Sequence, residues 1–70
     1  MITYEPFWDY LDWHKISTYT LINKHHISSS TINRLRHNKP ISTETIDKLC
    51  KIFDCPVDDI IMYVKIEQET

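Results

Sequence analysis

The stretch that decides the fold runs from Ser17 to Asn38 and reads Ser-Thr-Tyr-Thr-Leu-Ile-Asn-Lys-His-His-Ile-Ser-Ser-Ser-Thr-Ile-Asn-Arg-Leu-Arg-His-Asn. The spacing of its apolar residues predicts two short helices, with a tight turn between them at residues 25–27 where the periodicity lapses. Ser17 and Ser28 stand where each helix begins. A serine hydroxyl accepts from the backbone N–H groups that a first turn leaves free, so both serines are predicted N-caps.

The second of these helices, over residues 28–38, is predicted to have one apolar face and one polar face. Ile32 and Leu35 are three positions apart, so they lie on one side of the helix and point toward a core. The other side carries compact donors and acceptors and one long cation, a composition suited to reading base edges in the major groove. These side chains are Ser29, Ser30, Asn33, Arg34 and His37.

This spacing resembles the helix-turn-helix of the Cro and phage-repressor family. The match places Thr18 at the start of the first helix, Ile22 at a core position and His26 on the turn. The family usually has a small residue where Ile22 stands and glycine where His26 stands. The turn requires a positive φ, which histidine tolerates better than a branched residue does. The resemblance implies that Ser29, Ser30 and Arg34 face base edges, with Asn33 and His37 beside them.

The resemblance also implies an all-α, compact five-helix repressor-like DNA-binding fold, so we interpret residues 1–70 as one domain with its helix-turn-helix at 17–38. The last helix is predicted to begin at Pro56. Alternating apolar and charged residues then predict a strand at 63–66, which would form a short terminal β-ribbon with residues 2–4 of the same chain or pair with a second chain. The predicted core is Trp8, Leu11, Ile16, Leu21, Ile22, Ile27, Ile32, Leu35, Ile41, Ile46, Leu49, Phe53, Val57 and Ile60.

The charge of the chain is divided unevenly along the sequence. The formal net charge is −2, which by itself is unusual for a protein that binds a polyanion. Residues 15–39, however, carry five lysines and arginines and no acid, whereas the remainder carries all ten acids and three lysines. A basic centre that coincides with a helix-turn-helix indicates a surface for nucleic acid.

Phosphate contacts are predicted from helix starts and from nearby cations. The N-terminal ends of the second and fourth helices present free N–H groups and the positive end of the helix dipole, which favour anions. The predicted phosphate contacts are Thr18, Tyr19, Lys24, Ser28, Arg36, Lys39, Ser42 and Thr43.

Catalysis and metal binding are not expected. The four histidines and two cysteines are ligand types for zinc, but neither a Cys-x-x-Cys nor a His-x-x-x-His spacing is present. There is no nucleophile elbow and no paired-carboxylate pattern, and Ser28 to Ser30 are better explained by capping and DNA contact. We therefore expect no enzyme activity, no metal, no cofactor and no small-molecule ligand.

These patterns favour a transcriptional regulator that binds double-stranded DNA sequence-specifically and reads the major groove with helix 28–38. We expect this regulator to be a repressor. The alternative is a protein-interaction module, derived from a helix-turn-helix, that docks on another regulator through an apolar tail without binding DNA. That tail, residues 60–66, is also the predicted interface of a homodimer.

The sequence contains no apolar run long enough to cross a bilayer and no start that resembles a signal peptide. We therefore expect no membrane partner and a cytoplasmic location, in which Cys50 and Cys55 stay reduced.

Overall fold

The computed structural model describes residues 1–66, and the elements in this part of the chain are mostly helical. Their bounds are β1 Ile2–Thr3, α1 Glu5–Trp13, α2 Thr18–Lys24, α3 Ser29–Arg36, α4 Thr43–Phe53, a 3₁₀ helix Val57–Asp59, and β2 Met62–Tyr63. The helix-turn-helix is therefore formed by α2 and α3. In residues 1–66 no helix combines the length and the apolar character needed to cross a membrane.

Three helices begin with the same Ser-x-x-Thr pattern. The hydroxyl of Ser17 accepts from the backbone N–H of Thr20, at 3.1 Å. The corresponding bonds at the starts of α3 and α4, from Thr31 to Ser28 and from Thr45 to Ser42, are also 3.1 Å long. In each pattern the serine and threonine hydroxyls also contact each other, at 2.9–3.0 Å. The predicted caps of α2 and α3 are confirmed, and the cap of α4 is Ser42.

Each α-helix is followed by a residue in the left-handed region, although the chain contains no glycine. These residues are Lys15, His26, Asn38 and Asp54, with φ between 51° and 59°. The value at His26, 59°, confirms the positive φ that the turn between α2 and α3 was predicted to need. After α1, α3 and α4 a backbone N–H bonds to the carbonyl five residues earlier, which is the Schellman arrangement of a helix end.

The prediction of five α-helices is wrong, because the described residues form four α-helices and one short 3₁₀ helix. In that 3₁₀ helix the N–H of Ile60 bonds to the carbonyl of Val57, at 2.8 Å. Only five residues separate Pro56 from Met62, where β2 begins, and that is too few for more than one helical turn. The strand that follows therefore fixes the length of this segment.

The terminal β-ribbon is confirmed in its intramolecular form. β1 and β2 are antiparallel, with Ile2 opposite Tyr63 and Thr3 opposite Met62. The pairing extends by one residue, since the N–H of Val64 donates to the carbonyl of Met1, at 2.8 Å. The strand begins one residue earlier than the predicted 63–66.

The core lies between the four helices and the 3₁₀ helix. Its fully buried side chains are Phe7, Leu21, Leu35, Leu49 and Ile60, each with 0% exposure. The remaining buried apolar residues are Tyr4, Leu11, Ile27 and Ile32. One prediction about the core is wrong, because Val57 is 47% exposed. Trp8 packs half-buried against the core, and its neighbour Phe7, which was not predicted, is the fully buried aromatic residue of α1.

Candidate nucleic-acid interface

The five side chains predicted to contact bases are all exposed on α3 or at its C-terminal end. With 3.6 residues per turn, Ser30 and His37 project directly away from the buried side of the helix. Arg34 lies on one flank of that direction, and Asn33 and Ser29 lie on the other. The structure thus brings all five onto one open surface, which we call the α3 outer face.

One member of the α3 outer face has a fixed orientation. The ring Nδ1 of His37 lies 2.9 Å from the backbone carbonyl oxygen of Asn33. Because a carbonyl oxygen only accepts, Nδ1 carries the proton and donates. In the neutral ring Nε2 is then left as an acceptor, which suits contact with an exocyclic amino group.

The C-terminal end of α3 is held in place by the N-terminal part of the chain. The indole Nε1 of Trp8 donates to the carbonyl of Leu35, at 3.1 Å. The N–H of Tyr4 donates to Oδ1 of Asn38, at 3.1 Å, and its hydroxyl donates to the carbonyl of Lys39, at 2.6 Å. Burial raises the pKa of the Tyr4 hydroxyl, so this donor stays protonated. Three hydrogen bonds therefore hold the C-terminal end of α3 and the residues that follow it. Apart from the aromatic residues themselves, no sequence pattern predicts these bonds.

Arg36 lies on the side of α3 that faces α1. Its Cζ is 4.8 Å from the centre of the Trp8 ring, which is the geometry of a cation–π contact. The residue remains exposed. Trp8 therefore holds the guanidinium beside the α3 outer face rather than on it.

The other predicted phosphate contacts differ in what their side chains can offer. The hydroxyls of Ser28 and Ser42 are engaged in capping, so contact with a phosphate at these positions falls to the N–H groups at the start of α3 and α4. Thr18 is half-buried, whereas Tyr19 is 73% exposed. The remaining predicted contacts, Lys24, Lys39 and Thr43, are exposed.

The cations near α3 keep their charge available. Within residues 1–66 the sole ion pair joins Lys51 to Asp47, at 2.9 Å, on the exposed side of α4. The lysines and arginines of residues 15–39 therefore lack an acidic partner in the described part of the chain. Their positive charge is free to act on an anionic ligand.

Lys48 of α4 is a further cation near α3, and it was not among the predicted site residues. It lines a groove of about 180 Å³ together with His26, Ser28 and Thr31. The groove lies where the turn and the start of α3 meet α4. The sequence signal that could have predicted this position is the Ser-x-x-Thr pattern of α4. Lys48 follows Thr45 by about one helical turn, so the two residues lie on the same side of α4.

Several acidic residues lie on α1 and the 3₁₀ helix. Asp9 and Asp12 are exposed on α1, and Asp58 is exposed on the 3₁₀ helix, which packs against α1. Residues 1–14 contain no lysine or arginine. This surface is therefore negative, in contrast to the positive charge near α3, although Glu44 is also exposed in the first turn of α4. Among residues 1–66 no three histidine, cysteine or acidic side chains are grouped as a metal site would require.

Comparison with known families agrees with this geometry. The model of the Cro/C1-type HTH DNA-binding domain matches residues 7–65, which include all four α-helices except the first two residues of α1. This match confirms the resemblance seen in residues 17–38. No curated protein and no solved structure gave a significant match to the chain.

Proposed function

Because the chain belongs to the Cro/C1-type HTH DNA-binding domain family, we propose that it is a transcriptional repressor whose third helix reads the major groove of duplex DNA. The observation that carries the proposal is the α3 outer face, an exposed surface of short polar side chains beside the long cation Arg34. Such a surface matches the pattern of donors and acceptors on base edges. A repressor needs no further surface, since occupying an operator is enough to block a promoter.

The phosphate backbone is assigned to the elements beside the α3 outer face. Lys24, Arg36 and Lys39 supply positive charge, and Ser28 is assigned a phosphate contact as the N-cap residue at the start of α3. The other contacts are Thr18, Tyr19, Ser42 and Thr43, at the starts of α2 and α4. Phosphate contacts of this kind position a protein on the duplex, while base contacts select the sequence.

Binding to DNA is expected to weaken steeply with salt. Each neutralised phosphate contributes about −0.9 to the slope of log K against log salt, so three phosphate-contacting cations give a slope of about −2.7. Titrations of the chain with a random duplex at several salt concentrations measure this slope directly.

A matched pair of variants sharpens the salt experiment. Lys39→Gln should reduce the slope by about 0.9, because one phosphate contact is lost. Lys51→Gln, which removes a lysine already paired with Asp47, should leave the slope unchanged. Absence of binding to any duplex at low salt, or a flat salt dependence, would rule out the proposal.

The alternative, a module that docks on another regulator without binding DNA, has less support. It relies on the apolar tail at residues 60–66, but Ile60 is fully buried and Met62–Tyr63 pair with the chain's own β1. The family match is to a DNA-binding domain. The salt titration separates the two functions, since the module would bind no duplex.

We also propose that the protein acts as a homodimer, because one recognition helix reads only a few base pairs and related regulators bind half-sites about one helical turn apart. Since Ile60 is buried, the interface cannot use the whole of residues 60–66. The exposed apolar side chains that remain are Ile2, Met62, Tyr63 and Ile66, with exposures of 39–67%. They lie on or beside the β-ribbon.

The dimer is expected to form at micromolar concentration or on DNA, and sedimentation velocity measures both states. Tyr63→Lys should shift the protein toward monomer, because it places a charge on the most exposed residue of the ribbon. The matched control is Trp13→Lys, which makes the same kind of change at an exposed aromatic residue of α1. A strict monomer, both free and on DNA, would refute the dimer while leaving DNA binding intact.

A further inference from the structure

The C-terminal end of α4 brings two cysteines together. In a Schellman helix end, the residue after the left-handed residue often contacts the side chain five positions earlier. Here the left-handed residue is Asp54, with φ 51°, and the two contacting positions are Cys50 and Cys55. The N–H of Cys55 donates to the carbonyl of Cys50, at 3.1 Å. The chain thus has cysteine at both positions of a contact that the helix end itself creates.

Three further observations place the two thiols next to each other. Both are free and half-buried, and both line a single cavity of about 420 Å³. Burial, followed by the neighbouring Cys50 and the carboxylates of Asp59 and Asp54, raises the pKa of the Cys55 thiol to about 11. Asp47 also lines this cavity, on the α4 side. The two cysteines therefore line one open pocket and lie close enough for Cys50 to affect the pKa of the Cys55 thiol.

We propose that Cys50 and Cys55 are a reversible modification site, which a low-molecular-weight disulfide such as oxidised glutathione converts into an intramolecular disulfide. A disulfide requires Cα atoms about 4.4–6.8 Å apart, and a backbone hydrogen bond between the same two residues holds them at this order of separation. The bond would join the last turn of α4 to the segment that enters the 3₁₀ helix. This site does not depend on DNA binding.

The reaction takes two exchange steps. The Cys50 thiolate attacks one sulfur of the oxidant, forms a mixed disulfide and releases one thiolate. The Cys55 thiolate then attacks the Cys50 sulfur, forms the intramolecular bond and releases the second thiolate. Two protons leave the protein, the two cysteines are oxidised, and the oxidant is reduced to two thiols. The same two steps with the roles of the cysteines exchanged lead to the same disulfide.

To test this, the full chain is incubated with oxidised and reduced glutathione, and its free thiols are then blocked with an alkylating agent. Mass spectrometry measures the masses of the products. The expected main product is lighter than the reduced chain by two hydrogens and takes up no alkylating agent. In an unfolded chain, a short flexible linker gives one thiol an effective concentration in the millimolar range at the other. In the folded chain, this effective concentration should be about tenfold higher. The ratio of closed to mixed disulfide should therefore be about tenfold higher in buffer than in urea.

Two matched variants separate the steps. Cys55→Ser and Cys50→Ser should each stop at the mixed disulfide, because neither retains a second thiol to close the bond. In the unsubstituted chain, the closing step should accelerate about tenfold for each pH unit below the pKa of the attacking thiol, because only the thiolate attacks. Chains that carry glutathione on both cysteines, or a closed-to-mixed ratio that is the same in buffer and in urea, would overturn the proposal.

Discussion

Phe7→Ala is expected to lower the free energy of unfolding by about 3–5 kcal/mol, since it deletes a fully buried aromatic ring. Phe7 has 0% exposure, and its ring contacts those of Trp8 and Phe53, at centroid distances of 4.9 and 6.1 Å. A chain of this length has a total stability of about 4–10 kcal/mol. The variant should therefore be largely unfolded at 37 °C, or have a Tm lower by at least about 12 °C.

Thermal unfolding followed by circular dichroism measures this effect, and α1 supplies its own control. Trp13→Ala removes a larger ring from the same helix, but Trp13 is 83% exposed. Its effect should stay within about 0.5 kcal/mol. Equal losses from the two substitutions would mean that α1 does not pack with Phe7 inward.

Arg34→Ala is expected to cost about 1–3 kcal/mol of binding free energy on the best site and to relax the preference at one base pair. Arg34 is the one arginine or lysine of the α3 outer face, and its long side chain carries a planar guanidinium that can reach O6 and N7 of guanine together. The side chain is exposed, and stability should change little. Selection from a random duplex pool supplies the best site, and competition against shuffled DNA measures the preference.

The matched control for Arg34 is Arg36→Ala. Arg36 is the other arginine of α3, but it packs on Trp8 beside the outer face. Its loss should weaken all sequences alike, as expected for a phosphate contact. If Arg34→Ala also weakens all sequences alike, Arg34 contacts a phosphate and not a base.

Local signals account for most of what the sequence predicted correctly. Ser17, Ser28 and Ser42 cap helices because capping depends only on a hydroxyl and the N–H three residues later. His26 was identified by the requirement for a positive φ at one position of a known turn. The exposure of the predicted base-contacting residues follows from helical periodicity alone.

Tertiary contacts account for what the sequence did not predict. The two hydrogen bonds of Tyr4 connect it to Asn38 and Lys39. These partners follow Tyr4 by 34 and 35 positions in the chain, and no local pattern specifies such contacts. The prediction that Val57 lies in the core was wrong for a similar reason, because it assumed a full helix after Pro56. Its segment became a 3₁₀ helix because β2 pairs with β1, so no full helical face formed. Lys48 became part of the groove beside α3 only through the packing of α4.

The most direct test of α3 as the DNA-reading element is amide chemical-shift mapping of the ¹⁵N-labelled chain during titration with a selected duplex at low salt. The proposed function predicts the largest shift changes at residues 29–37. Smaller changes are expected near residues 18–19 and 42–43, where phosphates are assigned. The acidic surface of α1 and the 3₁₀ helix should change least. The largest changes at residues 5–13 or 57–66, with residues 29–37 unaffected, would contradict it.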